Sequence, residues 1–257
     1  MIAEDAGLHC AQRAFRGVLD AFARPGTVHT VEPQPENPVR PAALDGALET
    51  VVRLFVDQAV TFCVADVEAD GITAYLASET HAASLPVRNA DFVVVPCRAD
   101  AQMAAVAVGE ACRGTLIAPE KGALVFVGCA RVAAAEVAEG DEPALHVVEV
   151  RGPGVAEVNC FAVDRIDWIH ARAARGDEFP CGIEIVLVDG CGRVVAIPRS
   201  SEIACDGLPA ASASTDGAVG AVGAVSTTSS PGVASSAGAG DVEPAAQRAC
   251  VLAGEVR

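Results

Sequence analysis

The stretch GIEIVLVD-GCG-RVVAIP, Gly182 to Pro198, decides how the rest of the chain is read. Two β-branched runs separated by a glycine-rich turn are the pattern of a β-hairpin. Upstream of it, short β-rich runs recur at Thr61 to Ala65, Ile72 to Leu76, Phe92 to Val95, Leu124 to Val127 and Leu145 to Val150. Helical periodicity is interleaved with them. An alanine-rich segment, Asp100 to Cys112, fits a helix, and another around Asp164 to Ala174 carries Ile166, Ile169 and the single tryptophan, Trp168. At the start, Leu8, Ala11, Phe15, Leu19 and Phe22 form an amphipathic stripe that stops at Arg24-Pro25-Gly26. A further helix is expected from Pro41, with Leu44, Leu48, Val51, Val52 and Phe55 on one face. Strands and helices mix along residues 1–205, so an α/β domain with a layered mixed sheet is the expected packing.

After Cys205 the character changes. Residues 206–257 are dominated by Ala, Gly, Ser, Thr and Val, without periodicity or bulky anchors. A segment of that kind buries too little surface to offset its ordering entropy and is expected to be a disordered tail.

Composition narrows the function classes. Over the 257 residues the formal net charge is −16, and an acidic surface repels nucleic-acid backbones and anionic headgroups. The opening MIAEDAGLHC carries acids where a signal peptide needs a basic stretch, so a cytoplasmic protein is expected. The longest apolar stretch, Ala123 to Val137, is broken by Arg131 and reads as strand material rather than a membrane span. Ten cysteines are present, but no CxxC or CxH pair that would present two ligands to one zinc. They read as reduced, mostly buried small hydrophobes.

Chemistry-bearing constellations are scarce. There is no GxxxxGK[ST] phosphate loop, no GxSxG elbow, and no pair of histidines at helical metal spacing. Asp164 and Asp167 read as helix-capping acids rather than a catalytic pair. Three arginines sit beside rigid turns: Arg24 before Pro25-Gly26, Arg151 before Gly152-Pro153-Gly154, and Arg199 after Pro198. A guanidinium held in advance by a stiff backbone suits a phosphate or carboxylate, and Ser200 and Ser201 could add hydroxyl donors beside Arg199. The competing explanation is an ordinary ion pair in an acidic protein.

Five segments in order carry a resemblance. They read FRGVLDAFARPG (Phe15 to Gly26), GTLIAPEKGALV (Gly114 to Val125), RGPGV (Arg151 to Val155), FPCGIEIVLV (Phe179 to Val188) and AIPRSS (Ala196 to Ser201). Together they resemble the H-component family of the bacterial carbon–phosphorus lyase system, which serves phosphonate metabolism, over roughly residues 8 to 205. Glu184 stands where the family commonly has aspartate, and Ser200-Ser201 where threonines are usual.

The resemblance implies a fold like the large domain of pyridoxal-phosphate-dependent transferases, but lacking the cofactor. It implies a complex with the G, I and J components of the same system, and a homodimer when isolated. The G, H, I and L components together transfer the ribose triphosphate moiety of ATP to an alkylphosphonate, displacing adenine. The resemblance supplies no catalytic residue, metal or cofactor for this chain. It leaves Arg24, Arg151, Arg199 and Ser200 as anion-binding or partner-interface candidates. The alternatives are a small-molecule module that binds a nucleotide or phosphonate, and an independent pyridoxal-phosphate enzyme. The latter would need Lys121, the chain's single lysine, as its aldimine former.

Overall fold

The structure, a computed structural model, describes residues 2–35, 37–137 and 144–205; the side chains of residues 2–8 are outside that description. In chain order the elements are α1 (Ile2–Ala23), β1 (His29–Thr30), α2 (Gly46–Phe55), β2 (Thr61–Val64), α3 (Ala69–Thr80), β3 (Ala83–Ser84), β4 (Phe92–Val95) and α4 (Ala101–Glu110). They continue with β5 (Leu124–Cys129), β6 (Val132–Ala134), β7 (His146–Arg151), β8 (Asn159–Val163), α5 (Asp167–Ala174), β9 (Glu184–Asp189), β10 (Arg193–Ile197) and β11 (Glu202–Cys205).

The main sheet runs β1-β10-β9-β5-β4-β2-β3. Its strands from β9 to β3 are parallel, and β10 and β1 close one edge antiparallel. A smaller antiparallel sheet, β11-β7-β8-β6, is inserted largely between β5 and β9. The mixed α/β architecture expected from the sequence is therefore present, with a second sheet that the sequence did not announce.

Alternation along the strands feeds two cores. Val93, Val95, Val125, Val127, Ile185, Leu187, Val195 and Ile197 face α4, α5 and the small sheet. Phe62, Val64, Val94, Phe126, Val186, Val188, Val194 and Ala196 face α1, α2 and α3. Strands buried on both faces read as unbroken apolar runs, which is why FVVV, IVLV and VVAI stand out.

Several expectations need correction. Ile72 to Leu76 is helix, not strand: Ile72, Tyr75 and Leu76 of α3 are buried at one-turn spacing. Helix α2 begins at Gly46 rather than Pro41, because the Asp45 side chain accepts the Leu48 N–H at 2.8 Å and caps the helix there. Asp100 does the same for α4, accepting from the Met103 N–H at 2.7 Å. Of the two acids read as helix-capping, Asp164 accepts the Arg131 N–H at 3.0 Å instead, whereas Asp167 lies in the first turn of α5, accepts the Trp168 N–H at 2.9 Å and also pairs with Arg165.

Helix α1 presents a different face from the one its large residues suggest. Ala14, Val18 and Ala21 are buried, whereas Phe15 is 47% and Leu19 56% exposed. A Cβ on Gly17 would lie 2.6 Å from the Thr30 carbonyl oxygen. The helix therefore lies so close to the sheet edge that position 17 has no room for a side chain.

The nine described cysteines form no disulfide with one another, but only Cys63, Cys129 and Cys205 are buried, while Cys160 and Cys191 are exposed. Among the described residues no helix is long and apolar enough to cross a membrane. The tail, 206–257, lies outside the described residues.

Candidate functional site

In open α/β sheets, ligands usually sit beyond the carboxyl ends of the parallel strands. Here that edge is taken up by internal bonds. Arg165 donates through Nη1 to the carbonyls of Cys97 (3.4 Å) and Gly128 (3.3 Å), and through Nη2 to that of Ala99 (3.2 Å). Fully buried Asp189 accepts from the N–H groups of Val132 (2.9 Å), Cys191 (3.0 Å) and Arg193 (2.9 Å), and from Arg193 Nε (2.6 Å). Burial pushes the thiols of Cys97 and Cys129 up, so neither is an activated nucleophile. Among the described residues no cluster of His, Cys, Asp and Glu is arranged to hold a metal ion.

The opposite edge, where β5 and β9 begin, is open. Before β5 the chain makes a loop whose neck is a bridge between Arg113 and Gly122. The neck is extended by bonds from the Ala123 N–H to the Cys112 carbonyl (2.7 Å) and from the Gly182 N–H to the Arg113 carbonyl (2.9 Å). Gly114 has φ +73°, which turns the chain outward, and Thr115 and Ala118 bond each other's backbones across the tip. Leu116 and Ile117 at that tip are 76% and 97% exposed. Phe179, 79% exposed, stands before the cis Phe179-Pro180 bond on the facing segment. Between loop and segment lies a cavity of about 510 Å³ lined by Arg113, Gly114, Thr115, Leu116, Glu178 and Cys181, among others.

Two arginines hold this region together. Arg199 donates through Nε to Glu184 at 3.0 Å, and through Nη1 to the carbonyls of Pro119 and, at 3.4 Å, Pro180. It thus ties GTLIAPEKG, FPCGIE and AIPRSS into one knot. Arg172 of α5 donates to the carbonyls of Pro198 (3.2 Å), Arg199 (3.2 Å) and Ser201 (2.9 Å), and burial pushes its guanidinium down to about 10. Ser201 Oγ is buried without a hydrogen-bond partner among the described residues.

The turns that carry the sequence candidates do meet. A Cβ on Gly154 would lie 2.8 Å from the Ala23 carbonyl oxygen, and one on Gly152 would lie 3.0 Å from that of Ser200. Asn159 Nδ2 adds a 2.8 Å bond to the Pro25 carbonyl. The backbones next to Arg24, Arg151 and Ser200 are therefore contiguous. Their side chains are spent differently: Arg24 pairs with Asp20 at 3.3 Å, Arg151 with Glu149 at 3.2 Å, both exposed, and Arg199 with Glu184. Arg199 is not the free rim arginine that Pro198 suggests. Arg113, Glu178 and Cys181 carry no signal of their own in the sequence, and only the adjoining Gly114 and Pro180 mark the place.

No curated protein matches the chain. A family does: residues 4–204 match the bacterial phosphonate metabolism protein family, PhnH, as the order of these turns leads one to expect. The chain belongs to that family and has a role in bacterial phosphonate metabolism.

Proposed function

We propose that the chain is a supporting member of the carbon–phosphorus lyase core complex, acting with the G, I and J components in the cytoplasm. In that role it assists transfer of the ribose triphosphate moiety of ATP to an alkylphosphonate, and it contributes no nucleophile of its own. The observation that carries this reading is the knot around Arg199, which projects Leu116, Ile117 and Phe179 into solvent beside it. Large apolar side chains on a rigid, turn-rich platform are what a partner surface needs at its centre.

Co-expression with the G, I and J components, followed by size exclusion, tests it. Wild type is expected to elute with its partners, and Ile117→Asp/Phe179→Asp to elute alone while remaining folded. Co-elution of that variant at wild-type level would remove this face from the interface. Elution of the wild-type chain alone would remove the complex.

The main sheet is taken, on the same grounds, as a relative of the large domain of pyridoxal-phosphate-dependent transferases. An independent enzyme of that kind is disfavoured by the place of Lys121. It is exposed in the turn Pro119–Lys121, at the amino end of β5. A visible aldimine band on adding the cofactor, lost in Lys121→Ala, would reverse that judgement. Self-association as a homodimer is supported by the apolar face that α1 leaves uncovered.

A further inference from the structure

We infer that the 510 Å³ cavity beneath the 114–118 loop is a binding site for a small organic oxyanion, with Arg113 as its anion-holding residue. The site belongs to the isolated chain and does not depend on assembly with partners.

Arg113 is placed firmly but its charge is weakly engaged. Its backbone is fixed on both sides, by the bridge to Gly122 and by the Gly182 N–H. Its guanidinium has one ion-pair contact among the described residues, Asp177 at 3.8 Å, and is 64% exposed. The other oxygen of Asp177 is already held by Arg175 at 2.5 Å. A guanidinium at that separation makes no hydrogen bond with the acid, so its fork remains available to an incoming oxyanion.

The surroundings repel an anion less than the chain's net charge of −16 suggests. Here Arg113, Lys121, Arg175 and Arg199 offset Glu120, Asp177, Glu178 and Glu184, so the local field is close to balanced. Thr115 Oγ1 accepts the Ala118 N–H at 3.1 Å, which leaves the hydroxyl proton free to donate into the cavity.

Size and lining specify the rest of the ligand. The volume is within the range of about 300–1,000 Å³ typical of small-molecule pockets and far exceeds a bare phosphate. Leu116 offers an apolar wall and Glu178 an acceptor for a hydroxyl or ammonium group. The class is therefore an organic phosphonate, phosphate ester or carboxylate whose substituent is more than a methyl group.

Calorimetry on the isolated full chain with ethylphosphonate, adenosine 5′-monophosphate, propionate and inorganic phosphate tests this. Alkylation of Cys181, mapped by mass spectrometry with exposed Cys191 as control, gives a second readout. At least one organic anion is expected to bind saturably and to slow alkylation of Cys181 but not Cys191; which one binds identifies the head group. Arg113→Gln should weaken binding at least tenfold with the melting temperature unchanged, and Thr115→Val should weaken it less. Saturable binding by none of the organic anions overturns the site, as does undiminished binding by Arg113→Gln. Binding of inorganic phosphate as tight as that of the best organic anion overturns the role given to Leu116 and Glu178. The assembly test uses Ile117 and Phe179, neither of which lines the cavity, so either idea can fail alone.

Discussion

Arg199 and Glu184, fifteen residues apart in the chain, form a 3.0 Å ion pair that clamps the end of β10 to the start of β9, with side-chain exposures of 17% and 30%. The same guanidinium bonds the Pro119 and Pro180 carbonyls. Arg199→Ala leaves those acceptors and a half-buried carboxylate unpaired. The expected cost is about 1–3 kcal/mol, read as a melting temperature lower by several degrees. Arg199→Lys keeps the charge but not the fork and should fall between the two. A melting temperature identical to wild type in Arg199→Ala would show that the clamp contributes nothing.

Gly122 is the tightest point of the same region. A Cβ there would lie 2.3 Å from the Gly182 carbonyl oxygen and 3.1 Å from Arg199 Nη1. The carbonyl belongs to a backbone that is itself bonded to Arg113, so it cannot retreat cheaply. Gly122→Ala is expected to cost about 2 kcal/mol or more, and to raise protease sensitivity at the 114–121 loop before global unfolding. Gly71→Ala, with open space around its Cβ, is the matched control.

His29 predicts a pH dependence. Its Nε2 lies 2.7 Å from Thr27 Oγ1, and burial first, then the positive field of Arg24, lowers its pKa below the usual 6.5. The unfolded chain takes up its proton near pH 6.5 while the folded chain does not. Below that pH the unfolded state binds more protons, so this residue erodes stability as pH falls from about 7 toward the folded pKa. Wild type should lose more stability than His29→Gln in denaturant titrations between about pH 7 and 5.5. Parallel losses in the two proteins would assign the effect to other groups.

The uncovered face of α1 predicts self-association. Phe15 and Leu19, one turn apart in solvent, are a modest apolar patch that a second copy could cover. Light scattering is expected to report a dimer for the isolated chain and a monomer for Leu19→Asp, whose fold should be intact because position 19 faces outward. A dimer that survives the substitution would place the interface elsewhere.

Removal of residues 206–257 is expected to leave the melting temperature nearly unchanged. Their sequence offers few bulky apolar residues to bury, and they follow β11, whose last residue, Cys205, is buried on the edge strand of the small sheet. A drop of more than a few degrees on truncation would mean that the segment packs on the rest.

How much of this is legible in the sequence depends on what each residue signals locally. The hairpin Gly182 to Pro198 and the run Phe92 to Val95 are readable because burial on two faces leaves no polar interruption. The inward face of α1 is not, because large apolar residues ordinarily point inward. The close approach at Gly17, where a Cβ would meet the Thr30 carbonyl oxygen at 2.6 Å, instead turns Ala14, Val18 and Ala21 inward. The motif turns are readable from their glycines and prolines, and so is the family. The tasks of individual arginines are not. Arg165, Arg172 and Arg199 bind backbone carbonyls that belong to distant segments, and no spacing in the chain encodes such a contact. Arg113 is ordinary in sequence and distinctive only because the Arg113–Gly122 neck carries it to the lip of a cavity.

The pairing of β1 with β10, His29 opposite Val194, has a consequence for biosynthesis. At typical elongation rates of about 5–20 residues per second, the first partner leaves the ribosome on the order of ten seconds before the second exists. Throughout that interval the buried faces of α1 and α2, Ala14, Val18, Leu48 and Val52 among them, have no β9–β10 hairpin to cover them. The nascent chain is therefore expected to expose these residues until the hairpin emerges, and ribosome stalling upstream of Gly182 should leave it open to chaperones and proteases.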